Sequence, residues 1–370
     1  MGISVLHVLH AYRPGGMENM IAQMAWRLPA PDFAVAICAL TEADDFKDRL
    51  PARTPVVEMK KKSGLDFGCV LRLRRLIQSL RPDVVHSHNW NALIYSILAI
   101  GRGRTALLHG EHALLYSWER SPWRLRLRQA LYARCDIVHT VSQGQAAEIG
   151  AFGISAGVDL RVIRNGVDTE KFRPQDKAQS RTALGIPAGG RCIGMVARCV
   201  PEKRHALLLQ AFEQTAVAFP DTTLVLCGSG GMCEAAVRAQ VAAHPFASRI
   251  VWLGHRNDMP AVYAALDLMV LTSTSEGMSN VSLEAMSCGV PVLMHHTCGS
   301  EELIVQDVNG SAAPMGDADE VAAAVAHLLA RPGRLQQMGR QARAIIERDL
   351  PLTQTASAYA AVYRELAGKR

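Results

Sequence analysis

Short apolar segments alternate with helix-length stretches along this chain, and the alternation runs twice. In the first half, strands are predicted at residues 3–9, 35–40, 84–86, 106–109 and 137–141, with helices at 18–28, 69–80 and 123–133. The second half restarts the pattern. Strands are predicted at 192–196, 223–227, 250–253, 268–271 and 291–294, and helices at 205–219, 259–265, 282–288, 319–330 and 332–348. Short strands without polar alternation, spaced by helical patterns, build parallel sheets whose two faces are both covered by helices. Two such series predict an α/β chain of two Rossmann-like, doubly wound domains. A chain of 370 residues has room for both, at roughly 150 residues per domain.

Residues 173–190 contain Pro174, Pro187 and Gly189-Gly190 among polar neighbours and read as a linker. The expected division is therefore a first domain over 1–172, a second over 191–349 and a closing segment over 350–370. In such folds ligands sit beyond the carboxyl ends of the strands, so the residues that follow each strand are the candidates for chemistry.

Composition removes several classes. With 49% hydrophobic and 20% charged residues the chain can bury a core and is not disordered. No uncharged apolar run reaches the roughly 18 residues of a spanning helix. The N-terminus, MGISVLHVLHAYRPGG, lacks the basic start and cleavage site of a signal peptide, which predicts a cytoplasmic protein. Nine cysteines, an odd number with no C-x-x-C pair, argue against a zinc ribbon or a disulfide framework. They are expected to be small buried hydrophobes.

The net charge of +6 is uneven. Residues 60–134 hold 14 Lys/Arg against 4 Asp/Glu, whereas residues 176–370 hold 17 against 18. The first half therefore favours an anionic partner. Lys60, Lys61, Lys62, Arg72, Arg74 and Arg75 precede a Trp- and Arg-rich stretch over 118–128. That combination suits an anionic membrane surface or a lipid-diphosphate acceptor. No nucleic-acid motif occurs and aromatics are only 5%, so nucleic acid is not expected.

The sharpest local signal follows the predicted strand 268–271. There Glu276 and Glu284 are separated by seven residues, among them Gly277, Met278, Ser279, Asn280 and Val281, at the start of a helix. Backbone N–H groups at a helix N-terminus bind anions. Glu284, one turn inside, can accept from a vicinal diol such as a ribose, and Glu276 can do the same for a second polyol. The competing reading is an ordinary helix with acids near its start. Arg198 and Lys203 follow the strand 192–196, and two cations there can neutralise a diphosphate, Arg bidentately and Lys as a point charge. The bland alternative is a solvated basic loop pairing with Glu202. Gly15-Gly16 after the first strand, and Gly228 in Gly228-Ser229-Gly230-Gly231, can bring backbone close to a ligand. Either can also be a plain turn.

Four histidines, His86, His88, His109 and His112, cluster near strand ends. Their H-x-H and H-x-x-H spacings match no zinc-ribbon or helical metal pattern, so no metal site is expected. Asp317-Ala318-Asp319 is a D-x-D string directly before a helical run and reads as an N-cap.

Together these segments resemble the retaining GT-B glycosyltransferases of family 4 (group 1). The Glu276/Glu284 pair resembles that family's Glu-x7-Glu motif. Residues 194–203 resemble its donor-diphosphate segment, 165–174 its interdomain motif, 253–267 the stretch before its nucleotide site, and Gly15-Gly16-Met17-Glu18 its first loop. His109-Gly110-Glu111-His112 is similar to a subgroup acting in bacterial exopolysaccharide pathways. The resemblance spans essentially the whole chain. It implies a GT-B fold, a nucleoside-diphosphate sugar donor (a UDP-sugar in this subgroup), no metal requirement, and a glycan or lipid-linked acceptor. It implies that Glu284 holds the ribose, Arg198 and Lys203 the diphosphate, Glu276 the sugar, and His112 a sugar hydroxyl. It also implies that Gly15, Gly16 and the His112 loop face the acceptor, and that the last segment returns to the first domain. An epimerase or phosphorylase of the same fold remains an alternative, as does a non-catalytic sugar-nucleotide binder. A dinucleotide oxidoreductase does not, because no G-x-G-x-x-G follows the first strand.

Overall fold

In a computed structural model, residues 2–101, 103, 105–115 and 117–369 are described, apart from the side chains of Asp45, Ser117 and Cys298. The chain forms two compact units: Met1–Asn165 with Thr353–Arg370, and Gly166–Leu352.

The first unit is built on β1 (Ile3–Leu9), β2 (Phe33–Ala39), β3 (Val56–Glu58), β4 (Val84–His88), β5 (Ala106–Glu111), β6 (Ile137–Thr140) and β7 (Leu160–Val162). All neighbours run parallel in the order β3-β2-β1-β4-β5-β6-β7. The order reverses between β1 and β4, which places the loops after these two strands on either side of the switch point. Leu6, Val8, Cys38, Val85, Leu107 and Val138 form the sheet's buried part of one core cluster. Against it the helix Phe67–Leu80 buries Cys69, Val70, Leu73 and Ile77, one face of a 3.6-residue period. That helix starts where the Asp66 side chain accepts from Cys69 N–H and stops at Arg81, which is left-handed (φ 46°) and precedes Pro82. The closing helix Leu352–Gly368 lays Tyr359 and Tyr363 beside the histidines of β4 and β6.

The second unit carries β8 (Arg191–Val196), β9 (Thr222–Cys227), β10 (Ile250–Gly254), β11 (Leu268–Leu271), β12 (Val292–His295) and β13 (Gly310–Ala313). This sheet is also parallel throughout, ordered β10-β9-β8-β11-β12-β13, with its switch point between β8 and β11. The loops holding Arg198, Lys203 and Glu276 follow those two strands. Both sheets are as expected: each is parallel and doubly wound.

Residues 173–190 are folded into the second unit, not free between domains. Asp176 caps the helix Lys177–Ala183, and buried Arg181 binds Asp267 at 2.8 Å and the Ala265 carbonyl at 2.9 Å. The polar residues that suggested a linker are therefore occupied by a cap and a half-buried ion pair. Asp317 caps Ala318–Leu329, its carboxylate accepting from Glu320 N–H at 2.9 Å, as read from the D-x-D string. Of the cysteines whose side chains are described, Cys38, Cys69, Cys192, Cys199, Cys227 and Cys288 are buried and Cys135 and Cys233 half-buried, all free; Cys298 lies outside the described side chains.

Candidate functional site

In the second unit two loops are sewn together at the carboxyl edge of β8 and β11. Residues after β8 pass through a short 3-10 turn, Pro201–Lys203, to left-handed Arg204 (φ 50°). Arg204 donates to the Thr272 carbonyl and to the Met315 carbonyl, both at 2.6 Å. Thr272 in turn donates its hydroxyl to the Lys203 carbonyl at 2.8 Å, and Thr274 N–H donates to the Glu202 carbonyl at 3.0 Å. This backbone stitching brings Lys203 Nζ to 2.5 Å from Glu276 Oε1. Both ends remain partly open, at 24% and 12% exposure. Glu276 and Gly277 are pinned from the other side, where Gly299 N–H donates to the Glu276 carbonyl at 3.2 Å. A Cβ at Gly299 would lie 2.7 Å from the Gly277 carbonyl oxygen, so the two backbones touch.

Helix Asn280–Ser287 follows, capped by Ser279 on Ser282 N–H. Met278 and Ser279 are buried, and the first-turn N–H groups of such a helix have no intrahelical acceptor. One turn in, Glu284 accepts from the Tyr263 hydroxyl at 2.6 Å. Burial first, then the Glu284 charge, raises the Tyr263 phenol well above its ordinary value, so it stays a donor. Gly228 (φ 131°) backs onto the loop after β8, where a Cβ would meet the Ala197 carbonyl oxygen at 2.1 Å. Only glycine fits there. Arg198 is exposed on that loop and forms no side-chain ion pair with Glu202 or another acid among the described residues.

The first unit gathers its histidines more tightly than their spacing suggested. Gly15 is the N-cap of helix Gly16–Arg27. Two residues on, the Met17 sulfur accepts from Asn89 Nδ2 at 3.5 Å. Asn89 turns the chain sharply out of β4 in the left-handed region (φ 60°), and its Oδ1 accepts from His112 N–H at 3.1 Å. β5 runs to Glu111, so His112 is the first residue beyond it. His112 Nε2 lies 2.9 Å from His88 Nδ1, His88 Nε2 2.9 Å from His7 Nδ1, and His86 Nε2 2.9 Å from His139 Nε2. His109 does not join them; it bonds Ser87 and Glu111 instead. Burial, then mutual repulsion, holds His86 and His88 well below the ordinary 6.5, and burial holds His112 near 4. The imidazoles are therefore neutral.

His7, His86 and His88 bring ring nitrogens within 4.8 Å of one another and form a group that could hold a metal. His7 was not singled out from sequence, because a lone histidine inside an apolar strand carries no spacing signal. Gly110 makes the cluster possible. A Cβ there would fall 2.5 Å from His139 Nε2 and 2.9 Å from His112 Nε2. Gly110→Ala is expected to cost about 1–3 kcal/mol by overpacking, read as a lowered urea midpoint.

Beside the histidines, buried Arg128 pairs with Glu111 and Glu119 and stacks 4.5 Å over Trp90. Arg128 is thus not part of the basic surface that the 118–128 stretch suggested. What faces outward is Trp118 and Trp123, 55% and 61% exposed, with the Arg124 guanidinium 4.8 and 4.9 Å from their rings. Among the described residues no helix is long and apolar enough to cross a membrane.

Comparison with known proteins decides the family. Residues 176–345 match Glycosyl transferases group 1, and residues 14–171 match Glycosyltransferase Family 4. The chain belongs to the family 4, group 1 glycosyltransferases. This transferase is 28% identical over 275 residues to a D-inositol 3-phosphate glycosyltransferase of Mycobacterium marinum, a match covering 70% of the chain but only 58% of that relative. A D-inositol 3-phosphate glycosyltransferase of Kribbella flavida is 25% identical over 366 residues, covering 89% and 85%. Among solved structures, Anabaena Alr3699/HepE in complex with UDP and glucose superposes with a TM-score of 0.82 at 24% identity, over 97% of this chain and 99% of that one. Sucrose-phosphate synthase from Thermosynechococcus elongatus superposes at 0.86 and 18% identity, over the whole of both chains. These superpositions establish the GT-B fold of the glycosyltransferase.

Proposed function

We propose that the glycosyltransferase moves a sugar from a nucleoside-diphosphate sugar, with retention, to a hydroxyl of a glycan or lipid-linked acceptor in polysaccharide biosynthesis. The observation that carries this reading is the Lys203–Glu276 pair in the loop that leads directly into helix Asn280–Ser287. The loop thus offers a cation and a carboxylate, and the helix it enters offers N–H groups, which are the groups a diphosphate and a sugar polyol require. In this reading Glu284 takes the ribose and Lys203 and Arg198 the diphosphate. Glu276 takes sugar hydroxyls, with backbone support from Gly277, Met278, Ser279, Asn280, Val281 and Gly228. His112 contacts a hydroxyl of the transferred sugar, and its loop, with Gly15 and Gly16, faces the acceptor. Leaving-group charge grows in the transition state, so fixed cations lower the barrier, and the two side chains supply that charge without a metal ion.

UDP is the preferred donor nucleotide, supported by the HepE complex with UDP-glucose. GDP is the second reading, favoured by a 29% identical GDP-mannose-dependent mannosyltransferase of Mycolicibacterium smegmatis. The exposed Trp118–Arg124–Trp123 stack on a basic half supports peripheral binding to an anionic membrane at its cytoplasmic face. The deciding experiment is calorimetric titration of UDP, GDP and ADP without metal. One diphosphate should bind saturably. Glu284→Ala should weaken it roughly 10- to 100-fold, the loss of a charged hydrogen bond, and Glu284→Gln, which keeps an acceptor for Tyr263, should lose less. If none of the three binds, or Glu284→Ala binds as wild type does, the donor assignment is wrong.

A further inference from the structure

We propose that His88 and His7 are positioning residues that hold His112 as its Nδ1–H tautomer, making it a hydrogen-bond donor to substrate and not a base. This rests on the reading of His112 as a substrate contact. The argument is a count of protons along a chain of rings. His112 Nε2, His88 Nδ1, His88 Nε2 and His7 Nδ1 meet in two contacts of 2.9 Å. The chain ends at His7 Nε2, which is buried and meets no partner among the described residues. Burial above all keeps the three rings uncharged, His7 down to about 3. Each neutral ring has one N–H and one bare nitrogen.

Only two proton orders satisfy both contacts. If His112 donated from Nε2, His88 would donate from Nε2 and His7 would be left with a buried N–H facing nothing. In the opposite order His7 donates to His88, His88 donates from Nδ1 to His112 Nε2, and the unmatched atom at His7 is a lone pair. An orphaned buried N–H is the rarer and costlier defect. The second order therefore holds, and the remaining proton of His112 sits on Nδ1, across the ring from the buried chain. Asn89, accepting from His112 N–H at 3.1 Å, fixes the backbone from which that ring projects. The same crowding brings His7, His86 and His88 within reach of one metal ion. Yet their inner nitrogens are already engaged in pairs, and no carboxylate among the described residues hydrogen-bonds to any of the three to offset a divalent charge.

The test is long-range proton–nitrogen NMR on the full chain labelled with 15N-histidine, with the His112 signals assigned by their loss in His112→Gln. Wild type should show His112 with a protonated Nδ1 and a bare Nε2. In His88→Phe the fixed tautomer should disappear, and kcat should fall about 10-fold, the loss expected of one hydrogen bond, with nucleotide affinity unchanged. His88→Asn, whose amide nitrogen replaces the Nδ1 donor, should restore the tautomer and most of kcat. An Nε2–H or doubly protonated His112 in wild type overturns the proposal. So does a His88→Phe protein with the same tautomer and rate, or a stoichiometric tetrahedral Co2+ complex that is lost in His7→Ala. Failure of the substrate reading is separate: it would appear as absent nucleotide binding, with the wild-type tautomer still as stated.

Discussion

Lys203→Ala is expected to lower kcat by about 10²–10³-fold with donor saturating, the usual loss when one preorganised group facing a developing charge is removed. The expectation comes from how the ammonium is held. The Thr272 hydroxyl donates to the Lys203 carbonyl at the end of the Pro201–Lys203 turn, and the guanidinium of the next residue, Arg204, ties the turn to the Thr272 and Met315 carbonyls. Lys203 Nζ is then anchored 2.5 Å from Glu276 while still 24% exposed. A cation so fixed need not reorganise when a leaving diphosphate gains charge. Because the lysine also neutralises Glu276, the alanine variant leaves a carboxylate near the donor's own negative charge. Donor affinity should therefore fall as well, and Glu276→Gln in the same background should recover affinity without recovering kcat. Lys203→Arg is not a conservative rescue, because a planar fork does not occupy the space of a point charge. Steady-state kinetics on the pair of variants separates the two effects. A Lys203→Ala enzyme within about threefold of wild-type kcat would remove leaving-group stabilisation from this residue, since one lost electrostatic contact should cost far more than that.

Much of this arrangement was legible because it is local. Strand 268–271, the Glu-x7-Glu spacing and the helix cap lie within twenty residues, so sequence periodicity and spacing report them directly. The elements that escaped have physical reasons to be silent. Helix Asn89–Ile100 buries residues on several faces (Ala92, Leu93, Tyr95, Ser96, Ile97 and Ala99), so it shows little apolar–polar periodicity. Strand Gly310–Ala313 reads GSAA, without a single β-branched or aromatic residue. Val56–Glu58 is three residues long and paired on one side only. The site residues that escaped are those acting across long separations. Tyr263 reaches Glu284 from a different helix, Asn89 reaches His112 across 23 positions, and His7 reaches His88 across 81. The Lys203–Glu276 contact joins residues 73 positions apart, and no local pattern reports a pairing at that distance.

The second large effect is on stability, at a residue counted from sequence as surface charge. Arg128→Met should destabilise the protein by about 3–5 kcal/mol at neutral pH, the cost of stripping one partner from a buried ion pair. Arg128 bridges Glu111 and Glu119, both buried, while the Tyr132 hydroxyl donates to Glu111 at 2.6 Å and His109 lies 3.1 Å from it. Two carboxylates thus depend on one guanidinium. Burial alone would raise the Glu111 pKa, but Arg128, with His109 and Tyr132, overrides it and holds the group near 2. A carboxylate depressed on folding contributes stability above its unfolded value, roughly 4.3, and loses that contribution as pH falls toward the folded value. Wild type should therefore keep the benefit in full at pH 7 and lose it between about pH 4 and pH 2. In Arg128→Met the sign inverts. Burial is then opposed only by the weaker partners, Glu111 takes up a proton more readily than in the unfolded chain, and the variant's deficit narrows as pH drops from 7 to about 4. Urea unfolding at those two pH values tests both halves. A deficit under about 1 kcal/mol, the ordinary worth of an exposed ion pair, or one that does not change with pH, would show that the network is not the buried electrostatic anchor described. The consequence reaches the site, because Glu111 is the residue before His112 and Glu119 sits in the turn that carries Trp118. Loss of Arg128 should free both segments together, so under the proposed function acceptor KM should rise in Arg128→Met while nucleotide affinity, assigned there to the other unit, stays at its wild-type value.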